Sequence, residues 1–433
     1  MNSLVKSIVV TLLFAMSYIF YNYELIRSNI EDIAFDTVEK FIVAKKVQKT
    51  KSPKVILFAM DDTYLKANAL LDEDNETNYG FFLPNDKIAD FIENLDEFVE
   101  DVEPENRPKL LFLDFDFKFT TAEYGKKLNP GDTKLAAVLE KERPYRILLP
   151  KTSKYNFIEH LQNPNIQKKI QEGKLIFVSV ALLRSEDGIS RRYLSYKNFK
   201  DNNGTKTYIN VAIAAKQLIE NGDINTSLVQ QNFLKNDVIA NRVWLKEYRN
   251  RIEEKNCISM QSFWTNYTKY SASCNLYDLD EDDFSNAIML LGTTYSSSDD
   301  VFDTMDVLGS ESFYGVEMHA NAIETLFHLH GQLKRLGFLQ SLLLIFTVFF
   351  ALSVFVAYVF KRINIENEEI EFLIVLAVVT AVLIAISIYL LQVYRLWFNW
   401  FVPLILYELI EVFEYLREFI PKIIAKIHIK KEK

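Results

Sequence analysis

The chain has 433 residues, of which 49% are hydrophobic, and a formal net charge of -9. That length suits one large domain, or two ordinary ones with extra segments. The acidic balance argues against a nucleic-acid partner, because phosphate binding needs clustered Lys and Arg.

Residues 7–23, "SIVVTLLFAMSYIFYNY", form an apolar run behind Lys6. The run sits at the lower end of the roughly 17–25 residues a spanning helix needs. A cleavable signal peptide would end in a small-residue cut site. Bulky "YIFYNYEL" follows instead, so 1–23 is predicted to be an uncleaved signal-anchor.

Residues 24–335 alternate compact apolar runs with amphipathic stretches. The runs are "KVILFAM" (54–60), "KLLFLDF" (109–115), "YRILLP" (145–150), "KLIFVSVAL" (174–182) and "AIMLLGTT" (287–294). Continuous apolar runs suit strands buried on both faces. Helices are predicted over "NDKIADFIENLDEFVE" (85–100), "DTKLAAVLEK" (132–141) and "YINVAIAAKQLIE" (208–220). Strands alternating with helices predict an α/β domain, with a mixed, mostly parallel sheet and helices on its faces.

Three more apolar runs follow within 336–416: 338–360, 372–392 and 396–415. The first two carry no formal charge. The third begins with Trp397 and Trp400, as at an aromatic belt, contains Pro403, which membrane helices tolerate, and ends among Glu408, Glu411 and Glu414. With four spanning helices, Lys6, the Lys361-Arg362 loop and the basic tail 417–433 share the cytoplasmic side. Residues 24–335 then lie outside. Lys334, Arg335 and Arg395 oppose this arrangement but are fewer. The prediction is a multi-pass protein of the cytoplasmic membrane, with its large domain in the periplasm or outside the cell.

Cys257 and Cys274 are the only cysteines, and both fall in the outer domain. An oxidising compartment would permit a bridge, worth about 3 kcal/mol for a loop of this size. Two buried free thiols are the other reading.

Asp61, Asp62, Asp114, Asp116 and Asp132 stand at or near predicted strand ends and helix starts. Carboxyl ends of parallel strands gather in one crevice, so these residues could hold a ligand or a hard cation through oxygens. They could equally cap helices and turns. "LFLDFDFKFT" (111–120) loosely resembles the paired-Asp motif of haloacid-dehalogenase phosphatases, but Lys118 stands where that family has Thr or Val. His160, His319, His328, His330 and His428 supply no HExxH or Cys/His metal spacing. No metal or cofactor is expected.

Several segments together resemble the CHASE2 family, an extracytoplasmic input module of bacterial receptors. They are "VILFAMDDTYL" (55–65), "FFLPNDKIADFIENL" (81–95), "LLFLDFDF" (110–117), "GDTKLAAVL" (131–139), "EDGISRRYL" (186–194), "AIMLLGTTYSSSDDVFDT" (287–304) and "YGVEMHANAIETL" (314–326). The last is the most specific. It departs from the family in having Tyr314 before Gly315, and Leu83-Pro84-Asn85 replaces a Trp-Pro-Trp segment.

The resemblance implies one helix before the sensor domain and three after it, matching the charge-based topology. Gly315 would allow a tight entry into a helix from about Val316 to His328. His319 and Asn321 would bond the sheet edge or a loop, coupling sensor to membrane. The tail "KIIAKIHIKKEK" (422–433) is too short to fold as an enzyme. The expected function is a non-enzymatic sensor relaying an external stimulus to a separate cytoplasmic or membrane signalling protein, as a monomer or homodimer. The alternatives are a membrane scaffold that binds another protein through the outer domain, and an Asp-dependent phosphohydrolase.

Overall fold

The computed structural model describes residues 53–71, 83–118, 130–184, 190–201, 204–232, 238–240, 248–254, 257–262, 268–279, 281–295, 298, 300–306, 309–328, 334–335, 343, 347, 368–390 and 396–397. The chain divides into two compact units, residues 45–332 and residues 1–44 with 333–433. The predicted runs 7–23 and 338–360, most of 396–415 and the tail 417–433 lie outside the described residues.

The first unit begins with β1 (Val55–Met60), α1 (Asp62–Ala67), α2 (Asn85–Asp101), β2 (Leu110–Asp114), α3 (Pro130–Leu139), β3 (Arg146–Pro150), α4 (Phe157–His160), α5 (Pro164–Gln171) and β4 (Leu175–Val178). Next come β5 (Leu182–Arg184), β6 (Ser190–Leu194), β7 (Tyr196–Asp201), β8 (Gly204–Ile209), α6 (Val211–Asn221), α7 (Thr226–Asn232) and β9 (Val238–Ala240). It closes with β10 (Tyr248–Glu254), β11 (Cys257–Ser262), β12 (Thr268–Ser271), α8 (Glu281–Phe284), β13 (Ile288–Thr293), β14 (Val301–Asp306), β15 (Gly309–Tyr314) and α9 (Gly315–His328).

Eight strands make the main sheet, in the order β10-β11-β12-β1-β13-β2-β3-β4. The six from β12 to β4 pair in parallel, while β10 and β11 add an antiparallel wing. The period-two geometry of a strand sends alternate side chains to opposite faces. On one face Ile56, Phe58, Met60, Leu111, Leu113, Met289 and Leu291 meet Ile88, Phe91, Ile92, Leu95 and Phe98 of α2. On the other, Val55, Leu57, Leu110, Phe112, Ile288 and Leu290 meet α6 and α9. Both faces are covered, which is why these strands read as unbroken apolar runs.

Side-chain caps set the helix starts. Asp61 accepts from the Tyr64 amide (2.9 Å) ahead of α1, and Asn210 accepts from the Ala212 amide (2.9 Å) ahead of α6. Such caps satisfy amides that have no partner within the helix. α6 ends at Gly222, whose φ of 74° is the left-handed conformation glycine adopts freely.

The helix expected over 208–220 is shorter at its start. Tyr208 and Ile209 belong to β8, pairing with Lys197 and Tyr196 of β7, and Asn210 intervenes before α6. In the second unit, α10 (Glu368–Tyr389) covers most of the run predicted at 372–392. No helix among the described residues is counted as long and apolar enough to cross a membrane.

Phe98 is buried where α2 meets Phe284 of α8, their ring centroids 4.7 Å apart. Phe98→Ala should therefore destabilise the first unit by about 3–5 kcal/mol, measured as a shift of the chemical-denaturation midpoint with an unchanged slope.

Candidate functional site

β13 enters the sheet between β1 and β2. Ala59 stands opposite Gly292 on one side and Asp114 opposite Gly292 on the other. The chain leaves β1 and β2 towards the α2 face but leaves β13 towards the α9 face. Strand ends whose connections diverge in this way form the crevice of an open α/β sheet.

The five predicted aspartates stand at separate places in the first unit. Asp61 follows β1 and Asp114 ends β2, with β13 between the two strands; the residue level with Asp114 across β13 is Ala59, two before Asp61. Asp61 caps α1 and accepts from the Ser271 hydroxyl (2.8 Å). Asp62 lies in the first turn of α1. Asp116 accepts from the Lys118 amide (2.9 Å) and the Thr152 hydroxyl (2.7 Å). Asp132, at the start of α3, is buried and accepts from the Asn85 side-chain amide (2.7 Å). That bond ties the Leu83-Pro84-Asn85 segment to α3. Among the described residues, no group of three or more His, Cys, Asp or Glu side chains is arranged to hold a metal ion.

The polar centre of the first unit is instead Asp114 and its neighbours. The Asp114 side chain is only 11% exposed, with Oδ1 3.9 Å from Nε2 of His319 on α9. Burial pushes the Asp114 carboxyl well above the ordinary carboxylate range, and the charge of Asp300 adds to the shift. Burial lowers the His319 imidazole to about 3, so at neutral pH it carries no charge. His319 stands edge-on to Phe112 (ring centroids 5.5 Å, 89°), and its Nδ1 is buried without a hydrogen-bond partner. β2 is an interior strand, so His319 meets the sheet's middle rather than its edge. Asn321 is buried one turn of α9 away from Met318.

Tyr193 of β6 closes the group. Its hydroxyl donates to the Met318 carbonyl, and its pKa is raised by burial and by Asp114. On the same turn of α9, Glu317 pairs with Lys269 (3.2 Å) and accepts from the Tyr314 amide (3.2 Å). A carboxylate there also complements the positive end of the helix.

Two glycines let α9 sit this close to the strands. A Cβ on Gly292 would lie 2.6 Å from Cβ of Val316. A Cβ on Gly315 would lie 2.2 Å from Oδ2 of Asp300, and the Gly315 amide donates to the Asp300 carbonyl (3.0 Å). The sequence indicated Gly315, His319 and Asn321. It did not single out Gly292, Asp300, Tyr193 or Lys269, although the segment 287–304 contains two of them.

A second buried charge pair lies at the end of β3. Lys151 pairs with Glu159, which also accepts from Lys206 (3.0 Å) and the Tyr208 hydroxyl (2.9 Å). Burial acts to raise the Glu159 pKa, but hydrogen bonds from Lys151 and Lys206 outweigh it and hold the carboxyl low. Every strong group there is paired, so this network braces α4 against the β7–β8 hairpin.

Cys274 is disulfide-bonded. The chain has two cysteines, which leaves Cys257 as the partner. Gln261 stands opposite Thr268, and the same antiparallel register continued places Cys257 opposite Ala272, two residues from Cys274.

A family model described as CHASE2 domain matches residues 8–357. No curated protein and no solved structure matches the chain.

The Gly315 contact gives a paired test. Gly315→Ala drives a methyl group into the Asp300 carboxylate and should cost about 1–3 kcal/mol. Adding Asp300→Gly should return most of that loss, as a double-mutant cycle of melting temperatures will show.

Proposed function

The chain belongs to the CHASE2 family, and from that premise we propose that it is a membrane-anchored sensor. Its α/β unit is displayed beyond the cytoplasmic membrane, responds to a stimulus there, and biases a separate signalling partner. The family is usually linked to extracellular sensing.

The observation that carries this reading is the seat of α9. Its first turn rests on β13 at Gly292 and against Asp300 at Gly315, with no side chain from either glycine as a spacer. A displacement at those strand ends is therefore felt by α9. In sequence, α9 ends at His328 and the uncharged run 338–360 begins ten residues later. A stimulus shifts such a device only by interacting differently with its two states.

Two further features support the placement. The apolar runs flank the α/β unit, and the Lys-rich tail falls on the side that the positive-inside rule assigns to the cytoplasm. An oxidised Cys274 suits an oxidising compartment.

Protease added to intact spheroplasts should cut the α/β unit and spare an epitope placed after Lys433. Cleavage that appears only after lysis would defeat the reading.

A further inference from the structure

The antiparallel wing of the main sheet hangs on very little backbone pairing. We propose that the Cys257–Cys274 disulfide is a redox-sensitive fastener. Intact, it holds β10 and β11 against β12. Reduced to two thiols, it lets that wing leave and makes β12 the edge of the sheet. The fastening stands on geometry alone. Its use as a stimulus, a change in thiol–disulfide balance outside the cell, rests on the sensor reading.

Among the described residues, β10 pairs only with β11, and β11 reaches the sheet only through β12. The five parallel pairings of the main sheet extend over three to six positions each. β11 and β12 are joined at two, Met260 opposite Lys269 and Gln261 opposite Thr268. Both strands run further, β11 back to Cys257 and β12 on to Ser271. Yet among the described residues no register pair joins 257–259 to Tyr270 or Ser271. The disulfide closes that unzipped end, and residues 263–267 connect the other. Cys274 is buried in the apolar cluster under α2, and its amide donates to the Ser271 carbonyl (3.0 Å). The sheet end of the bridge is thus fixed, and the wing is the part that can leave.

A dithiol reductant supplies the chemistry. Its thiolate attacks one sulfur of the bridge, the S–S bond breaks, and the other cysteine leaves as a thiolate and takes up a proton. The reductant's second thiol then displaces the first cysteine. Two electrons and two protons have passed to the protein, and the reductant ends as a cyclic disulfide. The β10–β11 hairpin then keeps only its two ladder positions on β12, and a hairpin standing alone is marginal in water. Lys269 occupies one of those positions. Its ammonium pairs with Glu317 in the first turn of α9 (3.2 Å) and lies over the Tyr314 ring (5.6 Å to its centre). An edge strand has unpaired backbone groups and opens more readily, so loss of the wing reaches α9 through Lys269.

The full chain in nanodiscs provides the test, with no signalling partner present, so failure of the relay and failure of the fastener remain separate results. Dithiothreitol should open the bridge, with both thiols counted by mass after alkylation. Amide hydrogen exchange over 248–262 should then rise by about a hundredfold. Exchange over Val55–Met60, Leu110–Asp114 and Ile288–Thr293 should stay level. Exchange over 315–319 should rise by less, and Lys269→Met should abolish that part alone. The double variant Cys257→Ser, Cys274→Ser should show the loosened wing without reductant and gain nothing from it, which decides the fastening if the reduced chain is hard to prepare. A bridge that dithiothreitol leaves closed, a wing whose exchange is unchanged, or a rise shared equally by the wing and the three core strands would overturn the fastener. An α9 start that stays level would overturn its use as a stimulus while the fastening stands.

Discussion

The close approach of Val316 to Gly292 is the contact on which the rest of this domain's organisation depends. Helix on sheet usually leaves a layer of side chains between the two backbones. Here one partner in the contact is a glycine, so α9 lies against the middle of the sheet. The consequence is mechanical. Packed interiors are dense and transmit strain instead of absorbing it. An element seated on strand ends at van der Waals contact must follow them.

The same contact explains where polarity is buried. α9 brings His319 over β2, and β2 ends in Asp114. Burial disfavours the charged form of both groups. At the other end of the sheet, Lys151 and Glu159 solve the burial problem by pairing, with Lys206 and Tyr208 completing the set. That second arrangement is a brace.

Much of the sheet was legible because its strands are buried twice over. Val55–Met60, Leu110–Asp114 and Ile288–Thr293 all appear as apolar runs with turn signals beside them. Asp61 was readable as a residue at a strand end, and capping was one of its two stated roles. Other features could not be seen. "YKNFKD" of β7 is polar because the hairpin it forms with β8 is largely exposed, so no apolar run marks it. Tyr208 and Ile209 were assigned to a helix because their spacing continues that of α6, and only Asn210 separates the two elements. The insertion of β13 between β1 and β2 leaves no local trace, since pairing across more than 170 residues is a tertiary matter. For that reason the strand lying between those that end at Asp61 and Asp114 could not be foreseen. Asp300 was hidden for a related cause: its partner Gly315 reaches it only after the β14–β15 hairpin folds back.

The late position of β13 also bears on how the chain is made. Emerging from the ribosome in order, β1 and β2 appear long before the strand that must lie between them. Each then has an unpaired edge and two apolar faces, the condition under which nascent chains mispair or aggregate. If β1 and β2 joined directly they would shut β13 out, and α9 would have no seat.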